Sequence, residues 1–279
     1  MNNPKVNSGS IVKSYRYGNT LELTTSNGLH KQTIKVLPNR KYVVLDTGEI
    51  FDMDTSGVTR SDNIKSTRIT MRKLRRLIAH NFRGHKNELW ITLTYAKYTN
   101  EITIVYRDFK LFIRDLRKQY PDLEYINVIE PQASGSWHCH LLIKSPKRNS
   151  LYIPNKIIEE CWKKGFTKTK RLKNSDKVGN YVVAYLTNLE INDNQNTKKY
   201  IKGARLYLYP KGVRIYRCSR GIKKPIELTA TKKEVMTING LDVDLEAKYS
   251  KKTTHTISTG DEISYITEFY DIGDNNENC

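Results

Sequence analysis

Residues 137–144, with the sequence Trp-His-Cys-His-Leu-Leu-Ile-Lys, constrain the fold of this chain more than any other stretch. The apolar run that follows the two histidines is typical of a buried β-strand. Successive side chains of a strand point to opposite faces, so His138 and His140 project together on one face, while Cys139 and Leu141 lie on the other. The strand therefore offers two imidazoles on the same surface of a sheet.

The segment before this strand supplies a possible third ligand. Residues 123–130 are rich in β-forming side chains, and residues 131–136 have the composition of a turn, which predicts an antiparallel hairpin. Any register that pairs even-numbered positions places Glu130 on the face of the two histidines, and directly opposite Cβ atoms lie about 5 Å apart. Two imidazoles and a carboxylate can bind a metal ion and leave coordination positions open. A histidine pair on a strand also occurs without a metal, as a surface or core feature.

The net charge of the chain points to a polyanionic partner. The 48 lysine and arginine residues outnumber the 29 acidic residues, which gives a formal charge of +19. A surplus of this size attracts phosphates, although a ribosome-like or merely basic protein is an alternative. The charge is uneven, because residues 260–279 contain six acids and no lysine or arginine. We expect this acidic tail to make no contact with DNA.

Several other classes of protein are disfavoured. The four cysteines are scattered without a C-x-x-C pair, which argues against a zinc ribbon and a disulfide framework. No stretch approaches the roughly 20 apolar residues of a membrane span, and the N-terminal sequence is not typical of a signal peptide. Neither a P-loop nor an H-E-x-x-H zinc peptidase motif occurs. We expect a cytoplasmic protein with reduced cysteines, no membrane partner and no nucleotide cofactor.

The hydrophobic periodicity predicts an α+β fold. Helices are expected over residues 66–82, 106–120 and 155–164, and extended segments over residues 88–95 and 165–172. The order strand, helix, hairpin predicts a central antiparallel sheet with helices packed on one face and the metal face open. Small β-rich additions flank this sheet, including a hairpin over residues 41–53. The chain is thereby divided into an N-terminal segment 1–65, a central domain 66–225 and a C-terminal extension 226–279.

A third motif lies within residues 175–189. If these residues form a helix, an apolar stripe is available for docking on the core: Val178, Val182, Leu186 and Leu189. Tyr181 and Tyr185, four residues apart, share a different face with Lys177. Tyrosines at helical spacing often simply pack in a core. Because the apolar stripe is separate here, the two tyrosines are candidate nucleophiles.

The strand over residues 88–95, the hairpin with Glu130, His138 and His140, and the tyrosine helix occur in one order that resembles the HUH endonuclease superfamily. Within it, the chain resembles the rolling-circle replication initiators of phages, plasmids and integrative elements, including filamentous-phage replication proteins. The likeness spans roughly residues 66–225. It implies that the carboxylate and both imidazoles bind a metal, that Tyr181 is the principal nucleophile and that Tyr185 matches the second tyrosine of two-tyrosine members. Many relatives have a lysine where this chain has Ala184, and Lys177 is its expected substitute.

The resemblance implies a chemistry and a set of partners. A divalent cation, Mg²⁺ or Mn²⁺, would neutralise charge at the scissile phosphate, and Tyr181 would attack the phosphorus to give a 5′-phosphotyrosine and a free 3′-OH. The partners implied are single-stranded or hairpin origin DNA, a host helicase and a DNA polymerase. The residues predicted to contact DNA are Thr92, Thr94, Arg72, Arg76, Arg205, Tyr207 and Arg214.

Two alternatives remain open. An HUH transposase or mobilisation relaxase would use the same residues on transposon ends or a transfer origin, although typical relaxases have their tyrosines near the N-terminus. A non-catalytic basic DNA-binding protein would bind DNA independently of metal and form no covalent adduct.

Overall fold

The computed structural model describes residues 4–25, 34–54, 56–132, 134–172, 206–256 and 262–273. The chain forms two compact units, one from Met1–Ser56 together with Pro225–Cys279, and the other from Gly57–Lys224. The sequence analysis treated the two terminal segments as separate additions. In the structure their strands pair in one sheet, because neither segment alone contains enough apolar side chains to form a core.

The strands, in chain order, are β1 (Ile11–Tyr17), β2 (Thr20–Thr25), β3 (Ile34–Leu37), β4 (Lys41–Val44), β5 (Ile50–Asp52), β6 (Glu88–Thr94), β7 (Glu124–Pro131), β8 (Trp137–Lys144), β9 (Thr167–Arg171), β10 (Tyr216–Cys218), β11 (Ile226–Thr231), β12 (Tyr249–Thr256) and β13 (Glu262–Asp271). The α-helices are α1 (Ile64–Asn81), α2 (Ile102–Gln119), α3 (Asn155–Trp162) and α4 (Lys232–Ile238). Short 3-10 helices cover Arg60–Asn63 and Leu206–Leu208. The helix predicted within residues 175–189 lies outside the described residues.

The unit formed by Gly57–Lys224 contains a five-stranded antiparallel sheet with the order β10-β7-β8-β6-β9. The hairpin β7-β8 therefore lies next to the centre, as the sequence predicted. Every pair of strands in this sheet joins residues of equal parity, so odd-numbered side chains share one face and even-numbered side chains share the other. The α+β fold with a central antiparallel sheet is confirmed.

Helices α2 and α3 cover the odd-numbered face. The ring of Phe109 on α2 lies 5.3 Å from that of Tyr125 on β7, and the ring of Phe112 lies 6.0 Å from that of Trp162 on α3. The hydroxyl groups of Thr167 and Thr169 each donate to Asn155 Oδ1 at the start of α3, at 3.2 Å. These contacts bury the alternating apolar residues of β6, which are Leu89, Ile91 and Leu93.

Helix α1 contacts the even-numbered face at the far end of β8. The Nζ atom of Lys144 donates to Asn81 O at 2.9 Å and lies 5.5 Å from the centroid of the Phe82 ring. The expectation of helices on one face thus describes α2 and α3, while α1 packs near Lys144, which has the parity of His138 and His140. Among the described helices, none is long and apolar enough to cross a membrane.

Gly165 permits the close approach of the chain to β6 just before β9. A Cβ atom at this position would lie 2.6 Å from Thr94 O, a backbone atom that cannot give way as a flexible side chain would. The close approach allows Thr94 N to donate to Phe166 O at 2.9 Å. Pairing of β6 with β9 therefore extends one residue beyond the strand ends, which places Phe166 beside Thr94.

The unit formed by the two termini has its own five-stranded sheet, with the order β11-β1-β2-β13-β12, and a separate three-stranded sheet β3-β4-β5. The latter contains the hairpin predicted over residues 41–53. Apolar side chains from both ends of the chain share one core: Val12, Leu21 and Leu23 from the N-terminal part, and Val235, Met236 and Tyr270 from the C-terminal part. The two terminal segments thus form a single folded body.

A buried ion pair joins the two ends of the chain within this unit. Lys232 Nζ lies 2.9 Å from Glu268 Oε2, and both side chains are 1% exposed. Glu268 also accepts from the backbone N–H of Val6 at 2.8 Å and from the hydroxyl of Tyr270 at 2.8 Å, and Lys232 Nζ donates to Val6 O at 3.1 Å. These hydrogen bonds compensate the loss of hydration of both charges.

Removing one member of this pair should destabilise the terminal unit strongly. We expect Glu268→Gln to lower the free energy of unfolding by about 3–5 kcal/mol, because the ammonium of Lys232 then remains buried without a counter-charge. Native-state hydrogen exchange of the β2 and β13 amides measures this change. The matched control is Lys248→Gln, which removes the exposed ion pair with Asp271 (Nζ to Oδ2, 3.0 Å) and should cost less than about 1 kcal/mol. Equal, small effects of both variants would contradict the prediction.

Candidate metal centre

The register of the β7-β8 hairpin brings three potential metal ligands together. Glu130 lies directly opposite His138, and His140 is the next residue on the same face. Glu130 Oε2 is 3.0 Å from His138 Nε2 and 2.9 Å from His140 Nε2. One ligand atom from each of the three side chains lies within 4.8 Å of the others, so the group could bind a metal ion. The even-numbered register predicted from the sequence is therefore the observed one.

The turn between the strands fixes this register. Gln132 N donates to Ser136 O at 2.7 Å, and Gly135 N donates to Gln132 O at 2.8 Å. Gly135 has a φ of +86°, a backbone conformation that glycine adopts without steric cost. A shift by one residue would move the histidines to the core face, so this turn determines whether the site exists.

Side chains behind and beside the cluster hold the hairpin in place. The buried indole of Trp137 donates to Asn100 O at 2.8 Å and packs edge-on against Tyr209, with ring centroids 5.4 Å apart. The hydroxyl of Tyr209 donates to Ile129 O at 2.7 Å, next to Glu130. On the ligand face, the Trp90 ring lies 5.4 Å from that of His140. The sequence analysis assigned no role at the site to Trp90 or Tyr209; the even parity of Trp90 on β6 was the signal that could have revealed it.

The cluster favours an ionised carboxylate and a neutral imidazole at neutral pH. Burial raises the pKa of Glu130, but the hydrogen bonds and positive charge of His138 and His140 outweigh this effect and lower the pKa to about 2. Burial lowers the pKa of His140 below its ordinary value of 6.5, and the proximity of Glu130 only partly opposes this shift. An ionised carboxylate and neutral imidazoles are the forms that coordinate divalent cations.

The ligands are more enclosed than the sequence suggested. The side chains of His138 and His140 are 12% and 11% exposed, whereas an open metal face was expected. Two Nε2 atoms converge on one carboxylate oxygen in this enclosed position. A divalent ion fits such a donor set, because it can replace the protons that the two ring nitrogens otherwise share with Glu130.

The two threonines predicted to contact DNA lie beside the cluster. Thr94 pairs with His138 and Thr92 pairs with His140 across the β6-β8 ladder. The Thr94 hydroxyl donates to Phe166 O at 2.9 Å, and that of Thr92 accepts from Trp90 Nε1 at 3.2 Å. Both side chains are half-buried and lie on the ligand face.

The remaining predicted residues fall into three groups. Arg72, Tyr207 and Arg214 are exposed. Arg76 is only 6% exposed, because it faces the core side of α1 rather than the solvent. Lys177, Tyr181, Tyr185 and Arg205 lie outside the described residues, so their distances to the cluster remain untested predictions.

Comparison with known proteins gives one family. Residues 88–190 match the model of a family of replication-associated proteins, described as ORF2 and gene 2 protein. The matched segment runs from β6 through β9 and includes the Glu-His-His cluster as well as both candidate tyrosines. The comparisons with curated proteins and with solved structures gave no match. The family match supports a role of the chain in DNA replication, of the kind found in phages and plasmids.

Metal binding should weaken in acid at the histidines rather than at the carboxylate. The pKa of Glu130 is lowered to about 2, so this group stays ionised down to strongly acidic pH, whereas the imidazoles gain protons below the ordinary histidine pKa of about 6.5. We expect Mn²⁺ affinity, measured by isothermal titration calorimetry, to change little between pH 8 and 7 and to fall by roughly tenfold per pH unit or more below pH 6. An affinity that stays constant down to pH 4.5 would show that the imidazoles are not ligands.

Proposed function

We propose that this chain is a replication initiator that nicks one DNA strand at an origin through a tyrosine nucleophile and a divalent metal ion. The observation that carries the proposal is the Glu130-His138-His140 cluster, assembled on adjacent strands of one hairpin inside the segment that matches a replication-associated family. The open coordination positions of such a cluster suit a phosphate oxygen as an additional ligand.

The proposed reaction is a transesterification. The phenolic oxygen of Tyr181 forms a bond to the phosphorus, and the bond between that phosphorus and the 3′ oxygen breaks. The phenol loses its proton and the departing oxygen gains one, which leaves a 5′-phosphotyrosine and a free 3′-OH. Because the phosphodiester becomes a phosphotyrosyl ester, its energy is kept for later rejoining. Tyr185 is the proposed second nucleophile, and Lys177 the proposed cation near the phosphate.

The metal would supply charge neutralisation at a non-bridging phosphate oxygen. Glu130, His138 and His140 would hold it, and the hydrogen bonds that orient their carriers β7 and β8 keep these ligands in place. The imidazoles favour Mn²⁺ by affinity, while cellular abundance and the carboxylate favour Mg²⁺. We propose that either ion supports the reaction.

The distribution of charge supports DNA as the substrate of this unit. The segment Gly57–Lys224 contains 36 lysine and arginine residues against 13 acids, whereas the two terminal segments together contain 12 against 16. The whole basic surplus of the chain therefore belongs to the unit that contains the metal cluster. A single-stranded or extruded hairpin origin is the proposed substrate, since only an unpaired backbone would reach the enclosed cluster. A host helicase and DNA polymerase are the proposed partners of the free 3′-OH.

The proposal predicts a covalent protein–DNA adduct. Incubation with Mn²⁺ and single-stranded oligonucleotides from the intergenic region of the element that encodes the chain should give a product that survives denaturing electrophoresis. Tyr181→Phe and His138→Ala should reduce it to background, because each removes a group that the bond change requires, and chelation with EDTA should do the same. Tyr185→Phe distinguishes one working tyrosine from two.

The matched control for the tyrosine variants is Tyr152→Phe, because Tyr152 is an exposed tyrosine of the same unit with no proposed role. It should form the adduct as the unmodified protein does. DNA binding of ordinary strength with no adduct on any such oligonucleotide would overturn the nicking function and favour a non-catalytic DNA-binding protein. An adduct formed only on transfer-origin or transposon-end sequences would favour a relaxase or transposase.

A further inference from the structure

One row of side chains crosses the whole central sheet through the metal cluster. In the β7-β8 and β6-β8 ladders, Glu130 pairs with His138 and His138 pairs with Thr94. Two hydrogen bonds extend this row at its ends, from Thr94 N to Phe166 O and from Ile129 N to Ile215 O, both at 2.9 Å. By the same antiparallel registers, Phe166 follows Thr94 on one side, and Arg214 follows Glu130 on the other.

Phe166 presents an aromatic ring at one end of this row. Its side chain is 65% exposed, while the next residue, Thr167, is buried against α3. The alternation along β9 therefore directs Phe166 to the face of the metal ligands, two strand spacings or about 10 Å from His138. Lys168 and Lys170 are exposed on the same face of β9. A single exposed aromatic residue is common on protein surfaces, but one that is aligned with a metal cluster and followed by cations has the composition of a single-strand binding surface.

Arg214 presents a guanidinium group at the other end. Its neighbours Val213 and Ile215 are buried, at 5% and 1% exposure, so the exposed Arg214 lies on the opposite side of this segment, with the parity of Glu130. One strand spacing, about 5 Å, separates its backbone from that of Glu130. A guanidinium group binds phosphate oxygens through several N–H donors at once.

We infer that a single DNA strand crosses the sheet along this row, so that Phe166 stacks on a base on one side of the scissile phosphate and Arg214 binds a phosphate on the other side. The inference rests on the proposed function, because it takes the metal cluster as the position of the scissile phosphate. It adds two residues that position the substrate on opposite sides of the reacting bond. Phe166 would select for an unpaired, accessible base, and Arg214 would hold the backbone.

The first test measures binding without any chemistry. Fluorescence anisotropy with a labelled 20-nucleotide oligo(dT) is used in Mn²⁺, with Tyr181→Phe and Tyr185→Phe in the protein so that no strand is cut. Phe166→Leu should weaken binding about tenfold, while Phe166→Tyr, which keeps a ring, should bind nearly as the parent does. Arg214→Ala should reduce the slope of log affinity against log salt concentration by about 0.7, the loss of one phosphate contact.

Two control variants match these substitutions. Tyr152→Leu removes another exposed aromatic ring, and Lys110→Ala removes one exposed positive charge from α2, which covers the opposite face of the sheet. Both should bind oligo(dT) within about twofold of the parent. If Phe166→Leu and Arg214→Ala also stay within this range, the inference is wrong, whether or not the protein nicks DNA.

The second test uses the cleavage position mapped from the adduct. Two half-site oligonucleotides contain only the nucleotides on the 5′ or only those on the 3′ side of the scissile phosphate. Phe166→Leu should weaken binding to one of them, and Arg214→Ala should weaken binding to the other. Sensitivity of the same half-site to both variants would overturn the opposite placement. Sensitivity of oligo(dT) binding to both variants without any adduct would instead support the DNA surface and contradict the nicking function.

Discussion

The register of the β7-β8 hairpin is the constraint on which the candidate site depends. Glu130 opposes His138 because the turn through Gly135 closes the hairpin at one particular residue, and strand periodicity then places His140 on the same face. The opposite face of β8 carries Cys139, Leu141 and Ile143, all fully buried. A slip of one residue would expose these apolar side chains and bury the imidazoles, so the stability of the core enforces the geometry of the site. Structure and chemistry thus share one determinant.

The neighbouring strands add to this arrangement from both sides. Pairing of β6 with β8 places Thr92 and Thr94 beside the two histidines, and the close approach permitted by Gly165 places Phe166 next in the row. The antiparallel ladders connect residues that are far apart in the chain, from position 94 to position 214, in one line across the sheet. A substrate that follows this line would meet an aromatic ring, the metal ligands and a guanidinium group in succession.

The two units of the chain differ in charge and in what stabilises them. The unit formed by Gly57–Lys224 concentrates the positive charge, and its core lies between a sheet and the helices α2 and α3. The unit formed by the two termini has a slight excess of acids and contains the fully buried ion pair of Lys232 with Glu268. Such a pair is costly to desolvate, and its hydrogen bonds to Val6 and Tyr270 tie the first strands of the chain to the last. A replication protein with this division can keep DNA contacts in one unit while the other remains free of strong attraction to DNA.

The sequence alone determined the local features of this protein, because they depend on side-chain periodicity. The alternation in residues 137–144 predicted which side chains share a face, and the apolar stripes predicted α1, α2 and α3 within a few residues. The ligand group Glu130, His138 and His140 followed from parity alone. Arg76 shows the limit of such reasoning: its basic neighbours suggested an exposed residue, but packing of α1 buries its side chain.

Only the tertiary structure decided which distant segments meet. The pairing of β1 with β11 and of β2 with β13 joins the two ends of the chain, a contact that no local pattern encodes because it arises from shared burial of apolar surface. The alignment of Phe166 and Arg214 with the metal cluster likewise depends on the order β10-β7-β8-β6-β9 and on the register of each ladder. Periodicity assigns a side chain to a face, whereas long-range pairing determines which other side chains share that face with it.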